Sequence, residues 1–263
     1  MPKSITNLLQ RRSDLSTFLV HLTRRFRGGE ARDNLLSILE THTLEARSVY
    51  GMGKRLARLD EETKKSQLVV CYTETPLEHV WMMCEDIENR PGRFAPYGLA
   101  VTKTWARRHS VNPVWYLDMT RGHDWLTGPV DDLVDLARKG YANRIASDGS
   151  LESLAAKDSQ AAKIAPFIEQ MGKPVSIRKE WWWEREWRHV GDQIILWQDL
   201  VAVFAPEEDH EPLMIDVRER LQALSRATGD IDEINLLDPR WGLERMIASL
   251  ARVPASDVGP FPF

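Results

Sequence analysis

With 263 residues, 43% hydrophobic and 28% charged, the chain has the balance of a globular protein and enough length to bury a substantial core. Its formal net charge of -4 gives no global pull toward nucleic acid or an anionic membrane, and no apolar run approaches the ~20 residues that span a bilayer. Two cysteines exclude a disulfide framework and a cysteine-built metal centre; with no signal-peptide-like N-terminus, the expected location is cytoplasmic.

Residues 17–21, Thr-Phe-Leu-Val-His, read as a short buried strand. A basic loop with Arg24, Arg25, Arg27 and Gly28-Gly29 follows, with Arg11 and Arg12 upstream. Residues 31–40 place Leu35, Leu36, Ile38 and Leu39 at helical spacing, with Asp33 or Asn34 as the expected cap. The mixed charges of 54–66 suit a solvated helix or loop. Residues 67–73 return to a strand that Pro76 ends, and 77–89 look helical. Two further strands, 97–101 and 114–117, are placed to pair as neighbours. Residues 129–141 and 151–171 read as amphipathic helices.

At 181–188 the chain reads Trp-Trp-Trp-Glu-Arg-Glu-Trp-Arg. As a strand this puts Glu184, Glu186 and Trp182 on one face, and Trp181, Trp183, Arg185 and Trp187 on the other. Neighbouring carboxylates raise each other's pKa and gain from a ligand that donates hydrogen bonds or carries positive charge. The same alternation also fits an edge strand with solvated glutamates and a tryptophan-rich core face, the tryptophans anchoring it. Residues 181–190 and 193–204 are expected to form a hairpin turned at Gly191-Asp192. Beyond Pro206 a strand at Leu213-Met214-Ile215 precedes helices around 216–227 and 241–252, and the Gly-Pro-Phe-Pro-Phe tail is non-helical.

Several chemistries lack their motif. Gly51-Met52-Gly53-Lys54 is too short for a phosphate loop, no histidine pair has metal-ligand spacing, and no GxSxG elbow occurs. Three strand-borne polar groups remain: His21-Leu22-Thr23, Tyr72-Thr73-Glu74 and Glu184-Arg185-Glu186. The first could bind a sugar hydroxyl and a carboxamide, or simply cap a loop; Tyr72 could be an aromatic platform or a core residue. The carboxylates could grip a ribose diol and stabilise a cation, so together these are the parts an NAD-cleaving site needs.

Phe18-Leu-Val-His21-Leu-Thr23, then Asn34-Leu-Leu-Ser-Ile-Leu39 and Leu44-Glu-Ala46, resemble the opening of the DarT-like ADP-ribosyltransferases. Val70-Cys-Tyr-Thr-Glu-Thr-Pro-Leu77, Tyr97-Gly98-Leu-Ala-Val-Thr-Lys103, Pro113-Val-Trp-Tyr116 and Glu184-Arg-Glu-Trp-Arg188 resemble the AbiGi family of abortive phage infection proteins. The resemblance covers roughly 18–204. It implies an α+β fold on a split, mostly antiparallel sheet of the ADP-ribosyltransferase type at 1–205, with a helical extension at 206–263. It also implies NAD as co-substrate, held by His21 and Thr23 with Tyr72 near the nicotinamide, Glu186 as the catalytic carboxylate and Glu184 assisting the acceptor. Arg24, Arg25, Arg27 and Arg47 would lie near the NAD entrance, where they could position an RNA or DNA acceptor, hold the NAD pyrophosphate, or contact neither. The implied function is an ADP-ribosyltransferase toxin of a phage-defence system. The alternatives are a non-catalytic antitoxin or partner-binding module of the same fold, or an NAD glycohydrolase. A cognate antitoxin or chaperone is an expected partner, and no metal is expected.

Overall fold

A computed structural model describes residues 14–26, 28–88, 90, 93–138, 143–145, 151–153, 156–173, 180–224 and 231–253. Arg11, Arg12, Arg27 and the 259–263 tail lie outside the described residues. The chain divides into two compact units, one of Met1–Thr43, Tyr72–Ala106 and Ile194–Phe263, the other of Leu44–Cys71 and Arg107–Gln193. The fold is mixed α/β with mostly antiparallel strand pairing.

In the first unit the apolar run Phe-Leu-Val-His-Leu forms strand Phe18–Leu22. It pairs antiparallel with Gly98–Thr102 from Phe18↔Thr102 to Leu22↔Gly98, and Val20 also pairs with Thr73. Gly98–Thr102 in turn pairs antiparallel with Leu200–Phe204, onto which Leu236–Leu237 adds in parallel. Strands covered on both faces read as unbroken apolar runs, and Leu19, Val20, Leu99, Ala100, Val101, Ala202 and Val203 are all buried. Gly98 is required where it stands: a Cβ there would lie 2.3 Å from the His21 carbonyl oxygen, so any side chain would push these two strands apart.

Helix Ala31–Thr41 begins two residues before the nearer of its expected caps, Asp33. Glu30 is the capping residue, its N–H donating to Asp33 Oδ2 (3.3 Å) in the first turn, and His42 ends the helix in a left-handed conformation (φ 55°). Leu35, Leu36 and Leu39 pack against Leu213, Val217 and Leu221. Those last residues correct the strand expected at 213–215. They belong to helix His210–Ala223, whose buried positions 213, 214, 217 and 221 follow the helical repeat. The boundary expected between 205 and 206 therefore falls inside a unit with one shared core. Residues 77–84 form a 3-10 helix.

In the second unit strand Trp115–Asp118 pairs in parallel with Ile168–Met171, and Glu186–Val190 pairs antiparallel with Asn112–Pro113. Helix Thr127–Arg138 covers a core of Met52, Leu56, Leu117, Val134, Ala137 and Ile168. The charged stretch near 54–66 gives two short helices, Gly53–Leu56 and Glu61–Lys65, the second capped by Asp60, which accepts from Thr63 N (2.7 Å).

Three expectations are corrected here. Strands 97–101 and 114–117 do not pair, because Gly98–Thr102 has Phe18–Leu22 and Leu200–Phe204 as partners. No hairpin turns at Gly191-Asp192, since Glu186–Val190 pairs with Asn112–Pro113 and Leu200–Phe204 with Gly98–Thr102. The helix expected over 151–171 is replaced by strand Leu151–Ser153, helix Gln160–Ile164 and strand Ile168–Met171. Pro166 lacks an N–H and stops the helical repeat just before Ile168.

Candidate functional site

Trp181–Glu184 folds as a 3-10 turn, and Arg185 closes it in the left-handed region (φ 48°) with its N–H donating to Trp182 O at 3.1 Å. The strand starts only at Glu186. The shared face expected for Glu184, Glu186 and Trp182 is therefore corrected: alternation does not extend back through a left-handed residue. Trp181, Trp183 and Trp187 are all half-buried. Trp182 is 54% exposed, its indole N–H donating to Glu180 Oε2 at 2.8 Å.

Within strand Glu186–Val190 alternation puts Glu186 and Arg188 on one face. Arg188, only 1% exposed, grips Glu186 with both arms: Nε donates to Oε1 (2.9 Å) and Nη2 to Oε2 (2.7 Å). The same Nη2 donates to Glu169 Oε2 (2.7 Å), and Nη1 to the Pro166 carbonyl (2.7 Å). The Tyr50 ring centre lies 5.2 Å from the guanidinium carbon. The fork of an arginine suits this arrangement, where one buried cation meets two carboxylates and a carbonyl.

Charge here is strongly coupled. Burial alone would lower the pKa of Arg188, but Glu186 and Glu169 outweigh it and hold the guanidinium above its ordinary value. Burial and the charge of Glu186 raise the Cys71 thiol and the Tyr116 phenol. Tyr116 Oη also accepts the Glu186 backbone N–H at 3.1 Å. This cluster can fix the Glu186 carboxylate and tie three segments together, at 166–169, 186–188 and 116.

His21, Thr23, Arg24 and Tyr72 belong to the first unit, and Arg47, Glu184 and Glu186 to the second. Tyr72 is buried and meets His21 edge-on, with ring centroids 5.8 Å apart. Thr23 lies past the strand end, its hydroxyl donating to the carbonyl of Ala31 (2.8 Å) and lying 3.2 Å from that of Tyr97. The Arg24 carbonyl accepts from Asn34 Nδ2 (2.8 Å), and Arg47 pairs with Glu45 (2.9 Å). Glu74 pairs with Lys103 at 2.6 Å.

Sequence reasoning missed Arg188 and Glu169. For Arg188 the signal was present, since Glu-x-Arg in a strand sets opposite charges side by side. Glu169 arrives from a distant segment and left no local signal. Among the described residues no group of three or more His, Cys, Asp or Glu side chains could hold a metal ion, and no helix is long and apolar enough to cross a membrane.

The family model of the abortive phage resistance protein AbiGi, described as an antitoxin, matches residues 36–226. No curated protein and no solved structure matches. The family description overturns the expected NAD-dependent ADP-ribosyltransferase, because an antitoxin restrains a toxin and needs no turnover of its own.

Proposed function

The chain belongs to the AbiGi family of abortive phage resistance proteins, and we propose that it serves phage defence as a non-catalytic antitoxin that binds and restrains a cognate toxin. The observation that carries this reading is the state of Glu186. Both of its carboxylate oxygens are engaged by a guanidinium that is itself buried, an arrangement suited to holding a strand in place. A carboxylate that stabilises a developing cation in a transition state must be aimed at the substrate, whereas this one is neutralised from within its own strand. Restraint by binding asks instead for a rigid scaffold and an exposed docking face, and the ion cluster supports the first requirement.

The test is complex formation. The purified chain is mixed with the toxin of its own defence system and followed by sedimentation and titration calorimetry, with no nucleotide added. A stable complex of defined stoichiometry is expected. Two independently sedimenting species would overturn the reading.

A further inference from the structure

Helix Thr127–Arg138 carries more apolar surface than its unit covers. Helical bonding already reaches back before Thr127, since Val130 N–H donates to Leu126 O (3.1 Å) and Thr127 N–H to Asp124 O (3.0 Å). At about 100° per residue, Val130, Val134 and Ala137 share an arc of about 60°. That arc faces the core of Met52, Leu56 and Ile168. The adjoining arc, about 100° wide, holds Trp125, Leu126, Pro129, Leu133 and Leu136. All five are exposed, Trp125 at 77% and Leu136 at 51%. The apolar side of this helix is thus roughly three times as wide as the part its own unit buries.

Charge around the helix is unevenly matched. Asp131 and Asp135, on the far side, are both held by Arg55, and Asp135 also by Arg138 at 3.1 Å. Asp132, about 20° from Trp125, borders the exposed apolar arc; it is itself exposed and stands in no ion pair among the described residues. An exposed tryptophan next to aliphatic side chains, with a carboxylate at its edge, is the composition of an interface centre and its border. Such a face fits a partner that offers an apolar groove edged by lysine or arginine, with a cation able to stack on the indole.

The geometry points to this face, Trp125, Leu126, Leu133 and Leu136 with Asp132 at its edge, as the surface that docks a basic-rimmed apolar groove of the toxin. The inference rests on the antitoxin reading and adds to it where the partner binds and what chemistry it presents. The helix inserts as an amphipathic ridge, and Asp132 at its edge sets its orientation and speeds its encounter.

The test compares Trp125→Ala, the double variant Leu133→Gln with Leu136→Gln, Asp132→Lys, and Ile247→Gln as a control on another exposed apolar position. Each is first shown by circular dichroism and thermal melting to keep the parent fold, then titrated with the purified toxin. Trp125→Ala and the double variant are expected to weaken Kd by ~30-fold or more, the scale of an interface hot spot. Asp132→Lys is expected to slow association severalfold, by a factor that shrinks as salt is raised. Ile247→Gln should leave both unchanged. If the parent complex forms and these face variants bind within ~2-fold of it, the docking surface is wrong while the antitoxin reading stands. If the parent forms no complex, the antitoxin reading fails and takes this inference with it. Self-association of the chain that the same substitutions abolish, with toxin binding intact, would assign the face to a second copy and overturn the inference.

Discussion

Arg188→Met is the perturbation with the largest effect expected in the second unit. Its guanidinium makes four charge-assisted contacts, two to Glu186, one to Glu169 and one to the Pro166 carbonyl, all at 2.7–2.9 Å and from a side chain only 1% exposed. Solvent screening therefore does little to discount it. Removing one partner of a buried ion cluster leaves uncompensated charge behind and typically costs about 3–5 kcal/mol. Against a total stability on the order of 5–15 kcal/mol, that is a large fraction. With a urea m-value of about 2–3 kcal/mol/M, the midpoint should fall by about 1–2 M. Hydrogen exchange should localise the loss, with peptides covering 166–171 and 186–190 losing about 10²- to 10³-fold protection. The decisive comparison is the triple variant Arg188→Met, Glu186→Gln, Glu169→Gln. Removing all three charges strands none, so it should be more stable than Arg188→Met alone. A single variant that loses under ~1 kcal/mol, or a triple variant that is no better, would refute the argument that charge compensation at Arg188 holds these segments.

Other outcomes follow from the same geometry. Thr23→Val removes a hydroxyl donating to Ala31 O (2.8 Å) at the end of the first strand, and should cost about 1–2 kcal/mol in urea melts. Gly98→Ala forces a Cβ to 2.3 Å from His21 O and should destabilise by roughly 2–4 kcal/mol; a melting temperature unchanged from the parent would contradict the strand register. Burial pushes the Cys84 thiol up to about 11 from 9.0. Alkylation of native protein at pH 8 should then be slow and should accelerate about tenfold per pH unit, while urea-unfolded protein reacts at once. Because the folded state holds this proton more tightly, Cys84 contributes stability that is present below pH 9 and lost as pH rises toward 11. Urea midpoints that rise over that window would contradict it.

The strands of the first unit were legible because they are buried on both faces, so Phe-Leu-Val-His-Leu and Leu-Val-Ala-Val-Phe appear as unbroken apolar runs. Their partners were not legible. Pairing depends on long-range packing, and proximity in sequence favoured a hairpin across Gly191-Asp192 that the parallel and antiparallel neighbours of 112–118 and 98–102 displace. The tryptophan segment misled for a local reason. Trp-Trp-Trp-Glu has β-prone composition, yet one non-glycine residue, Arg185, adopts φ 48° and breaks the alternation on which the paired-carboxylate reading rested. In helix 31–41 and helix 127–138 the apolar period was legible, but which part of the stripe would be covered was not. That distinction separates Val134 and Ala137 from Leu133 and Leu136, and it needs the neighbouring elements. The Glu186 site shows the same limit: sequence placed the carboxylate, and the contacts of Arg188 decided what it does.

Growth of cells that carry the toxin of the same defence system, with and without this chain, tests the central claim most directly. The chain expressed alone should leave growth unaffected, and co-expression should restore growth that the toxin alone arrests. Restoration should persist in Glu184→Gln, whose residue lies outside the strand, because restraint by binding needs no glutamate to assist an acceptor. Growth arrest by the chain on its own, abolished by substitution of that carboxylate, would contradict the account.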